Sequence, residues 1–304
     1  MDTMRERFTT VAVDLLENNR DVAIVLAAIG VGQFDELGAF DRHPERIVDM
    51  GIREQTMIGV AAGLALSGLR PIVHTYAPFL VERPFEQVKL DFAHQDVGGV
   101  LVSVGASHDV ASAGRTHMAP GDVSLLATLP GWDIYVPGHP DEVEVALRRA
   151  AAADNRVYIR LSEQMNQEPH SVTGYIDIIR RGTRPSPLVI AVGPMLDAVT
   201  DATAHLDATV AYVSTVRPLD AKGIRAAATG TDVIIVEPYL EGTSVAPLAA
   251  ALADRPHRVL GIGVGNEELR KYGTAAEHNR AWGLDRESLR SRIDRFVRPL
   301  QLES

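Results

Sequence analysis

A glutamate at the junction of a strand and a helix is the residue of this sequence best placed to do chemistry. Glu54 lies in the run Asp49-Met50-Gly51-Ile52-Arg53-Glu54-Gln55, where Gly51 can turn the chain from a strand into a helix. A carboxylate in the first turn of a helix is favoured by the helix dipole, whatever else it does. Because the carboxyl ends of strands in open α/β sheets collect ligands, the same carboxylate could also exchange a proton with a bound group. The residue pattern alone is compatible with both interpretations.

Other common patterns of catalytic and cofactor-binding residues are absent from the sequence. It has no cysteine, which excludes disulfides, thiolate metal sites and cysteine nucleophiles. It has no His-Glu-x-x-His pair for zinc, no Gly-x-Ser-x-Gly elbow and no phosphate-binding glycine loop. The run Gly261-Ile262-Gly263-Val264-Gly265 has the wrong spacing for a dinucleotide fingerprint. We therefore predict no metal ligands in this chain.

The charge balance narrows the range of partners. The 304 residues carry 30 Lys and Arg against 40 Asp and Glu, a formal net charge of −10. This acidic balance argues against sequence-independent binding to nucleic acid or to an anionic membrane surface. The sequence also has no apolar run of membrane-spanning length and no signal-peptide pattern. These features predict a soluble, cytoplasmic protein and do not exclude a small anionic substrate in a local basic pocket.

Short runs rich in Val and Ile alternate with helix-like stretches along the whole chain. Continuous apolar runs are typical of strands buried on both faces, which belong to parallel sheets covered by helices. The alternation predicts a doubly wound α/β fold. The predicted strands are 22–28, 71–76, 100–104, 134–136, 157–161, 188–192, 210–213, 233–236 and 259–264. The predicted helices are 4–17, 54–66, 85–94, 141–152, 196–205, 221–228 and 246–253.

A stretch rich in polar residues and proline divides the chain into two parts. It is followed directly by a new predicted strand at residue 188. We predict a first domain over 1–165, a linker over 166–186 and a second domain over 187–304.

Several motifs occur in one order along the chain and together resemble a known family. They are Gly51-Ile52-Arg53-Glu54-Gln55, Arg70-Pro71-Ile72-Val73-His74-Thr75-Tyr76, Gly114-Arg115-Thr116-His117, Pro137-Gly138-His139-Pro140-Asp141-Glu142 and Val216-Arg217-Pro218-Leu219-Asp220. This order resembles the C-terminal half of transketolase and of its relatives, 1-deoxy-D-xylulose-5-phosphate synthase and the beta subunit of pyruvate dehydrogenase. The resemblance covers nearly the whole chain. It implies two doubly wound α/β domains: a pyrimidine-binding domain for thiamine diphosphate, followed by a transketolase C-terminal domain.

The resemblance implies a cofactor site at the end of the first predicted strands. Glu54 matches the glutamate that hydrogen-bonds the aminopyrimidine ring of thiamine diphosphate, where a shared proton activates the cofactor. Tyr76 and Phe79 match aromatic positions that line the pyrimidine pocket. Ile29, which follows the first predicted strand, is assigned to the same cofactor site.

The resemblance also implies a substrate site. His117 matches a catalytic histidine that points at the substrate, whereas His108 and Arg5 match residues that bind a sugar phosphate. Each of the three could instead be a structural or solvated side chain. Glu163 stands where the family has a phosphate-binding arginine, and Ala113 stands where it has an acid that contacts a substrate hydroxyl. Because a carboxylate repels an anion, the change at Glu163 predicts poor binding of a phosphorylated acceptor and a specialised transketolase.

The family motif that holds magnesium and the diphosphate, Gly-Asp-Gly…Asn, is absent from this sequence. The resemblance therefore implies a split enzyme in which an alpha subunit supplies the Mg²⁺ and diphosphate ligands. We expect this chain to be the beta subunit of an alpha2beta2 heterotetramer with the cofactor bound across the interface. It would transfer a two-carbon ketol unit from a ketose to an aldehyde-type acceptor. Two alternatives stay open, a decarboxylating thiamine-diphosphate enzyme and a non-catalytic scaffold subunit.

Overall fold

The runs of Val and Ile form two sheets whose strands are largely buried on both faces. The computed structural model describes residues 2–298. All nine predicted strands are present, and three further short strands were not predicted. The strands are β1 (Val22–Leu26), β2 (Ile47–Asp49), β3 (Arg70–Tyr76), β4 (Gly99–Val104), β5 (Trp132–Tyr135), β6 (Arg156–Arg160), β7 (Asp177–Arg180), β8 (Leu188–Val192), β9 (Thr209–Val213), β10 (Thr215–Arg217), β11 (Asp232–Leu240) and β12 (Arg258–Val264).

Each sheet is parallel except for one edge strand. The strand order of the first sheet is β10-β5-β6-β4-β3-β1-β2, and that of the second is β12-β11-β8-β9-β7. The exceptions are β10, antiparallel to β5, and β7, antiparallel to β9. In the first sheet the chain passes from β1 to β2 on one side and then to β3 on the other. Such a reversal of strand order opens a crevice at the carboxyl ends of the strands, where ligands bind in folds of this class.

Helices cover both faces of the sheets, which confirms the predicted doubly wound α/β fold. In the first domain, α1 and α7 pack on the face that carries Ile24 and Ile72, whereas α4 packs on the opposite face, which carries Val25 and Val73. The helices are α1 (Met4–Asn18), α2 (Val31–Glu36), α3 (Ala39–Arg42), α4 (Glu54–Leu66), α5 (Phe85–Gln87), α6 (Asp122–Leu126), α7 (Pro140–Ala151), α8 (Leu196–Ala202), α9 (Ala221–Ala227), α10 (Val245–Ala251), α11 (Ala275–Ala281) and α12 (Arg286–Val297).

The stretch predicted as one helix over 85–94 is less regular than expected. It begins as the short helix α5 and continues as a π-helical segment, Val88–His94. A second π-helical segment, Pro78–Glu82, lies just before it. Such wide turns are frequent at functional sites, and these two follow directly after β3 at the carboxyl edge of the first sheet.

The two domains are more interleaved than the division of the sequence suggests. The stretch 166–186, predicted as a linker, contains β7, which pairs with β9 in the second sheet. Conversely, β10 comes from the second part of the chain but extends the first sheet by pairing with β5. Both strands are short, so their residues carry little apolar periodicity. Within residues 2–298, no helix combines the length and apolar character needed to cross a bilayer.

Candidate active site

Glu54 is buried at the carboxyl edge of the first sheet. It is the first residue of α4, and only 2% of its surface is exposed. The chain turns into the helix at Gly51, whose φ of 64° lies in the left-handed region that glycine adopts without strain. Asp49 supports this turn, because its Oδ1 accepts hydrogen bonds from the backbone N–H groups of Gly51 (2.9 Å) and Ala28 (2.8 Å). The predicted strand-to-helix turn is therefore present, and Asp49 joins it to the end of β1.

Arg83 is a residue of this site that the sequence did not predict. Its Nη1 donates to Oε1 of Glu54 at 2.6 Å, and its guanidinium carbon lies 4.2 Å from the centre of the Phe79 ring. The Glu54 side chain is 3% exposed and that of Arg83 is 40% exposed, so the ion pair reaches from the interior to the surface. The two residues are 29 positions apart and belong to no shared motif. Only the tertiary fold brings them together.

Three rings cluster beside this ion pair. The centre of the His117 imidazole lies 5.1 Å from that of Phe79 and 5.9 Å from that of Tyr76, with the rings edge to face. Tyr76 and Phe79 are themselves 6.1 Å apart. A Cβ atom at Gly105 would come within 2.7 Å of the Tyr76 ring, so a glycine there lets the ring lie against the backbone of the next loop. The structure thus brings together the predicted residues Tyr76, Phe79 and His117, and the cation–π contact of Arg83 connects them to Glu54.

Two aliphatic residues lie at the same edge of the sheet. Ile29 is half-buried just after β1, between Ala28 and Gly30, both of which have positive φ. Ile52 lies two positions before Glu54 and is 77% exposed, which is unusual for an isoleucine beside a buried carboxylate. Ile29 was predicted from the sequence to lie in the cofactor site, whereas Ile52 was not predicted. The exposure of Ile52 is set by the tertiary fold, so no residue pattern signals it.

The loop 107–119 carries both predicted substrate histidines. Its ends are joined by a hydrogen bond from the Ala119 N–H to the Ser107 carbonyl, 3.0 Å long. The fully buried Arg160, at the end of β6, donates to the Ser107 hydroxyl at 2.6 Å and to Asp122 at 2.8 Å. These contacts hold the base of the loop against the sheet. His117 is half-buried, and its Nδ1 lies 3.0 Å from the Thr116 hydroxyl.

His108 is held by the second domain. Its Nε2 lies 2.8 Å from Oδ1 of Asn279, and its ring stacks on His278 with 5.5 Å between the centres. Burial is the main cause that lowers the pKa of His108 to about 4, although the bond to Asn279 opposes it. The imidazole is therefore neutral at physiological pH, which is unfavourable for holding a phosphate. The predicted phosphate role of His108 stays a prediction.

The other two predicted substrate residues make separate contacts. Arg5 is half-buried, and its Nη2 lies 3.4 Å from Oε1 of Gln33. Glu163 is exposed, and its backbone N–H donates to Asp109 at 3.0 Å. Burial is the main cause that raises the pKa of Asp109 to about 7, and the nearby Glu163 carboxylate adds to this effect. The described contacts do not connect Arg5 or Glu163 to the cluster around Glu54.

This arrangement fits one end of thiamine diphosphate. A buried carboxylate, two aromatic rings and an exposed isoleucine suit a flat ring with polar atoms on its edge, such as an aminopyrimidine. Among residues 2–298, no group of three or more His, Asp and Glu side chains is arranged to hold a metal ion. The side chains around Glu54 are therefore chemically suited to such a ring.

Comparisons with known proteins agree with the motifs. Residues 2–168 match the transketolase pyrimidine-binding domain family. The chain is 47% identical over 295 residues to an uncharacterized 33.6 kDa protein in the fasciation locus of Rhodococcoides fascians, covering 95% of this chain and 93% of that protein. It is 28% identical over 313 residues to one subunit of the apulose-4-phosphate transketolase of Phocaeicola vulgatus, covering 98% of both chains.

The fold is also similar to that of solved structures. A split-gene transketolase, solved as an inactive beta4 tetramer, superimposes with a TM-score of 0.81 over 97% of both chains at 23% identity. At this level of identity the likeness concerns the fold alone.

Proposed function

This chain belongs to the transketolase family, and we propose that it is the beta subunit of a two-component transketolase. The observation that carries the proposal is the buried Glu54, whose partner Arg83 contacts Phe79. Phe79 clusters with Tyr76 and His117 after the carboxyl edge of the first sheet. A helix-dipole role alone would be served equally well by an exposed carboxylate. Burying a carboxylate is costly unless it meets a partner, and Arg83 is the partner of Oε1. The described hydrogen bonds of the Glu54 side chain involve Oε1 only, which supports a role for Oε2 in binding a ligand.

The residues of this chain have distinct tasks in the proposed site. Glu54 holds a proton between its carboxylate and a ring nitrogen of the aminopyrimidine. Tyr76 and Phe79 pack against the faces or edges of that ring, with Ile29 and Ile52 beside them. His117 can donate from its imidazole to an oxygen of the substrate, where negative charge develops. When bound, thiamine diphosphate supplies a carbon nucleophile toward a ketose carbonyl.

The open face of the site supports a partner subunit. Ile52, two positions before Glu54, is 77% exposed, and the Arg83 side chain is 40% exposed. A reaction that depends on a shared proton benefits from the exclusion of water. This chain alone leaves the face beside Ile52 and Arg83 open to water. We propose that an alpha subunit covers it, contributes the Mg²⁺ and diphosphate ligands, and assembles as an alpha2beta2 heterotetramer. Two similar proteins, one subunit of an apulose-4-phosphate transketolase and a split-gene transketolase, support this division of labour by their names.

The proposed reaction is the transfer of a two-carbon ketol unit from a ketose to an aldehyde-type acceptor. The exposed Glu163 and the neutral His108 both disfavour a phosphate at the acceptor's far end. We therefore propose an acceptor that is unphosphorylated at that end.

Reconstitution tests the proposal. The chain should be co-expressed with a partner that carries the Gly-Asp-Gly…Asn motif and assayed with ketose donors, aldehyde acceptors and pyruvate. We expect ketol transfer that requires both chains, thiamine diphosphate and Mg²⁺. Release of carbon dioxide from pyruvate without ketol transfer would instead identify a decarboxylating enzyme. An assembled pair that binds the cofactor and turns over no donor would favour a scaffold subunit.

A further inference from the structure

A tyrosine of the second domain lies against the turn that carries His117. Tyr272 belongs to the loop 265–273, which joins β12 to α11. A Cβ atom built on Gly114 would come within 2.6 Å of Cε1 of the Tyr272 ring and within 3.3 Å of its Cδ1 and Cζ. The ring therefore covers Cα of Gly114, which only a glycine leaves open to it. Tyr272 is 75% exposed, and none of the site residues predicted from the sequence lies on its loop.

Gly114 is the start of the turn whose last residue is His117. The single 3₁₀ turn spans Arg115–His117, and the Gly114 carbonyl accepts a hydrogen bond from the His117 N–H at 3.0 Å. Gly114 has a φ of 79°, in the left-handed region that favours glycine. It is buried, although its neighbours Ala113 and Arg115 are exposed. The burial of one residue between two exposed ones agrees with a cover that comes from another segment.

The two ends of this turn are held in different ways. After the turn, the Ala119 N–H donates to the Ser107 carbonyl at 3.0 Å, which closes the loop on the sheet. Before the turn, Ala113 is exposed. The turn and the loop 265–273 also line a cavity of about 440 Å³, so the turn borders open space and not a packed interior. The contact of Tyr272 is therefore placed where the first domain leaves the turn without support.

The loop that carries Tyr272 is itself held at both ends. At its start, a Cβ atom on Gly265 would collide with the Trp282 ring, so the backbone lies directly on that ring. At its end, the N-cap residue Thr274 and Glu277 form a capping box, in which the Thr274 N–H donates to the Glu277 carboxylate at 2.8 Å. Such a box fixes the entry of the chain into a helix. Tyr272 lies two positions before this cap.

Hydrogen bonds of α11 connect this loop to the first domain. Oδ1 of Asn279 lies 2.8 Å from Nε2 of His108, and its amide nitrogen donates to Oε1 of Gln164 at 3.2 Å. Both partners belong to the first domain. The place of Tyr272 relative to Gly114 is therefore set by contacts between the domains and not by the ring alone.

We propose that Tyr272 is a positioning residue for His117, an inference that rests on the proposed function. Its ring packs on Gly114 and fixes the start of the turn, so that the imidazole at the end of the turn keeps its orientation. That orientation includes edge-to-face contacts with Tyr76 and Phe79, with 5.9 and 5.1 Å between the ring centres. The second domain thereby contributes to the reaction without contacting the reacting atoms.

Hydrogen exchange in the isolated chain tests the contact. Tyr272→Ala removes the ring, whereas Tyr272→Phe keeps the three carbon atoms that face Gly114. The amides of Gly114, His117 and Met118 are hydrogen-bonded within the loop. They should exchange roughly 2- to 10-fold faster in Tyr272→Ala, the effect of one aromatic contact on local opening, and at the parent rate in Tyr272→Phe. Tyr175→Ala is the matched control and should leave these rates unchanged, because Tyr175 also lies on a loop and is 71% exposed.

A double-mutant cycle in the reconstituted enzyme tests the positioning role. Tyr272→Ala should lower kcat by about 10-fold, a fraction of the 10²–10³-fold effect of removing such a donor outright. The KM for the ketose donor should stay nearly constant, since His117 acts where charge develops in the transition state. In a His117→Gln background, Tyr272→Ala should lower kcat no further. Tyr272→Phe should keep the parent kcat.

Two results would overturn the proposal. Parent exchange rates in Tyr272→Ala would show that the ring does not hold the turn. Equal losses of kcat with and without His117 would show that Tyr272 acts on another part of the enzyme. If Tyr272→Ala does not fold, Tyr272→Leu, which lacks a flat ring, serves for both comparisons. Because the exchange measurement requires neither the partner subunit nor a substrate, its failure is distinguishable from failure of the proposed transketolase activity.

Discussion

The ion pair between Arg83 and Glu54 predicts a measurable coupling within the isolated chain. Arg83→Met removes the guanidinium while keeping an unbranched side chain, and Glu54→Gln removes the charge of the carboxylate while keeping its shape. If the 2.6 Å contact is formed in solution, the two substitutions should not be additive in the free energy of unfolding.

The burial of the two side chains sets the magnitude. Removing one partner of a fully buried pair costs about 3–5 kcal/mol, and exposed pairs contribute about 0–1 kcal/mol. Glu54 is 3% exposed and Arg83 is 40% exposed, so this pair lies between those limits. We expect Arg83→Met to lower the free energy of unfolding by about 1–2 kcal/mol, because it leaves a buried carboxylate without its partner. In the Glu54→Gln background the same change should cost less than about 0.5 kcal/mol, since no buried charge is left behind.

Urea unfolding of the parent, the two single variants and the double variant measures this coupling. Arg42→Met is the matched control, because Arg42 pairs with Glu17 where both side chains are well exposed, 49% and 38%. That substitution should change the free energy of unfolding by less than about 0.5 kcal/mol. Additive effects of Arg83→Met and Glu54→Gln, or an effect no larger than that of Arg42→Met, would refute the reasoning.

Three further predictions concern single side chains. In the assembled enzyme, Glu54→Gln should slow proton exchange at the thiazolium carbon by roughly 10²–10⁴-fold, the scale of general acid–base groups; exchange at the parent rate would reduce Glu54 to a helix-dipole residue. Glu163→Arg should lower the KM for sugar phosphates without changing cofactor binding, because it replaces a repelling carboxylate with a cation. Steady-state kinetics on matched phosphorylated and unphosphorylated aldehydes check this. A strong phosphate preference in the parent enzyme that Glu163→Arg leaves unchanged would contradict it. The pKa of Asp109 is raised to about 7 in the fold, so the folded protein favours the protonated carboxyl more than the unfolded chain does. The free energy of unfolding should therefore be highest below about pH 4, where both states are protonated, and should fall as the pH rises to about 7. Asp109→Asn should remove that loss, which is at most about 4 kcal/mol, and equal pH dependence of urea unfolding in parent and variant would show that the carboxyl is not shifted.

The parts of the site that could be predicted from the sequence are those carried by local motifs. Gly51 indicates a turn that only glycine adopts easily, and Glu54 follows it at a helix start. Tyr76 ends the strand that was predicted over 71–76, so its position at the edge of the sheet follows from the strand alone. All nine predicted runs rich in Val and Ile form strands.

The parts that could not be predicted depend on contacts between distant segments. Arg83 meets Glu54 because a π-helical segment turns the chain back over the start of α4, and no residue pattern signals that path. The second-domain contacts of His108 through Asn279, 171 positions away, likewise depend on how the two domains pack. Short edge strands such as β10 have only three residues, too few to show a period.

Binding of thiamine diphosphate to the isolated chain and to the reconstituted pair tests the central claim most directly. Isothermal titration calorimetry with and without Mg²⁺ gives both affinities under the same conditions. If this chain holds only the pyrimidine end of the cofactor, binding should be weak and independent of Mg²⁺ in the isolated chain. It should become tight and Mg²⁺-dependent once the alpha subunit is present. Tight, Mg²⁺-dependent binding to the isolated chain would contradict the account.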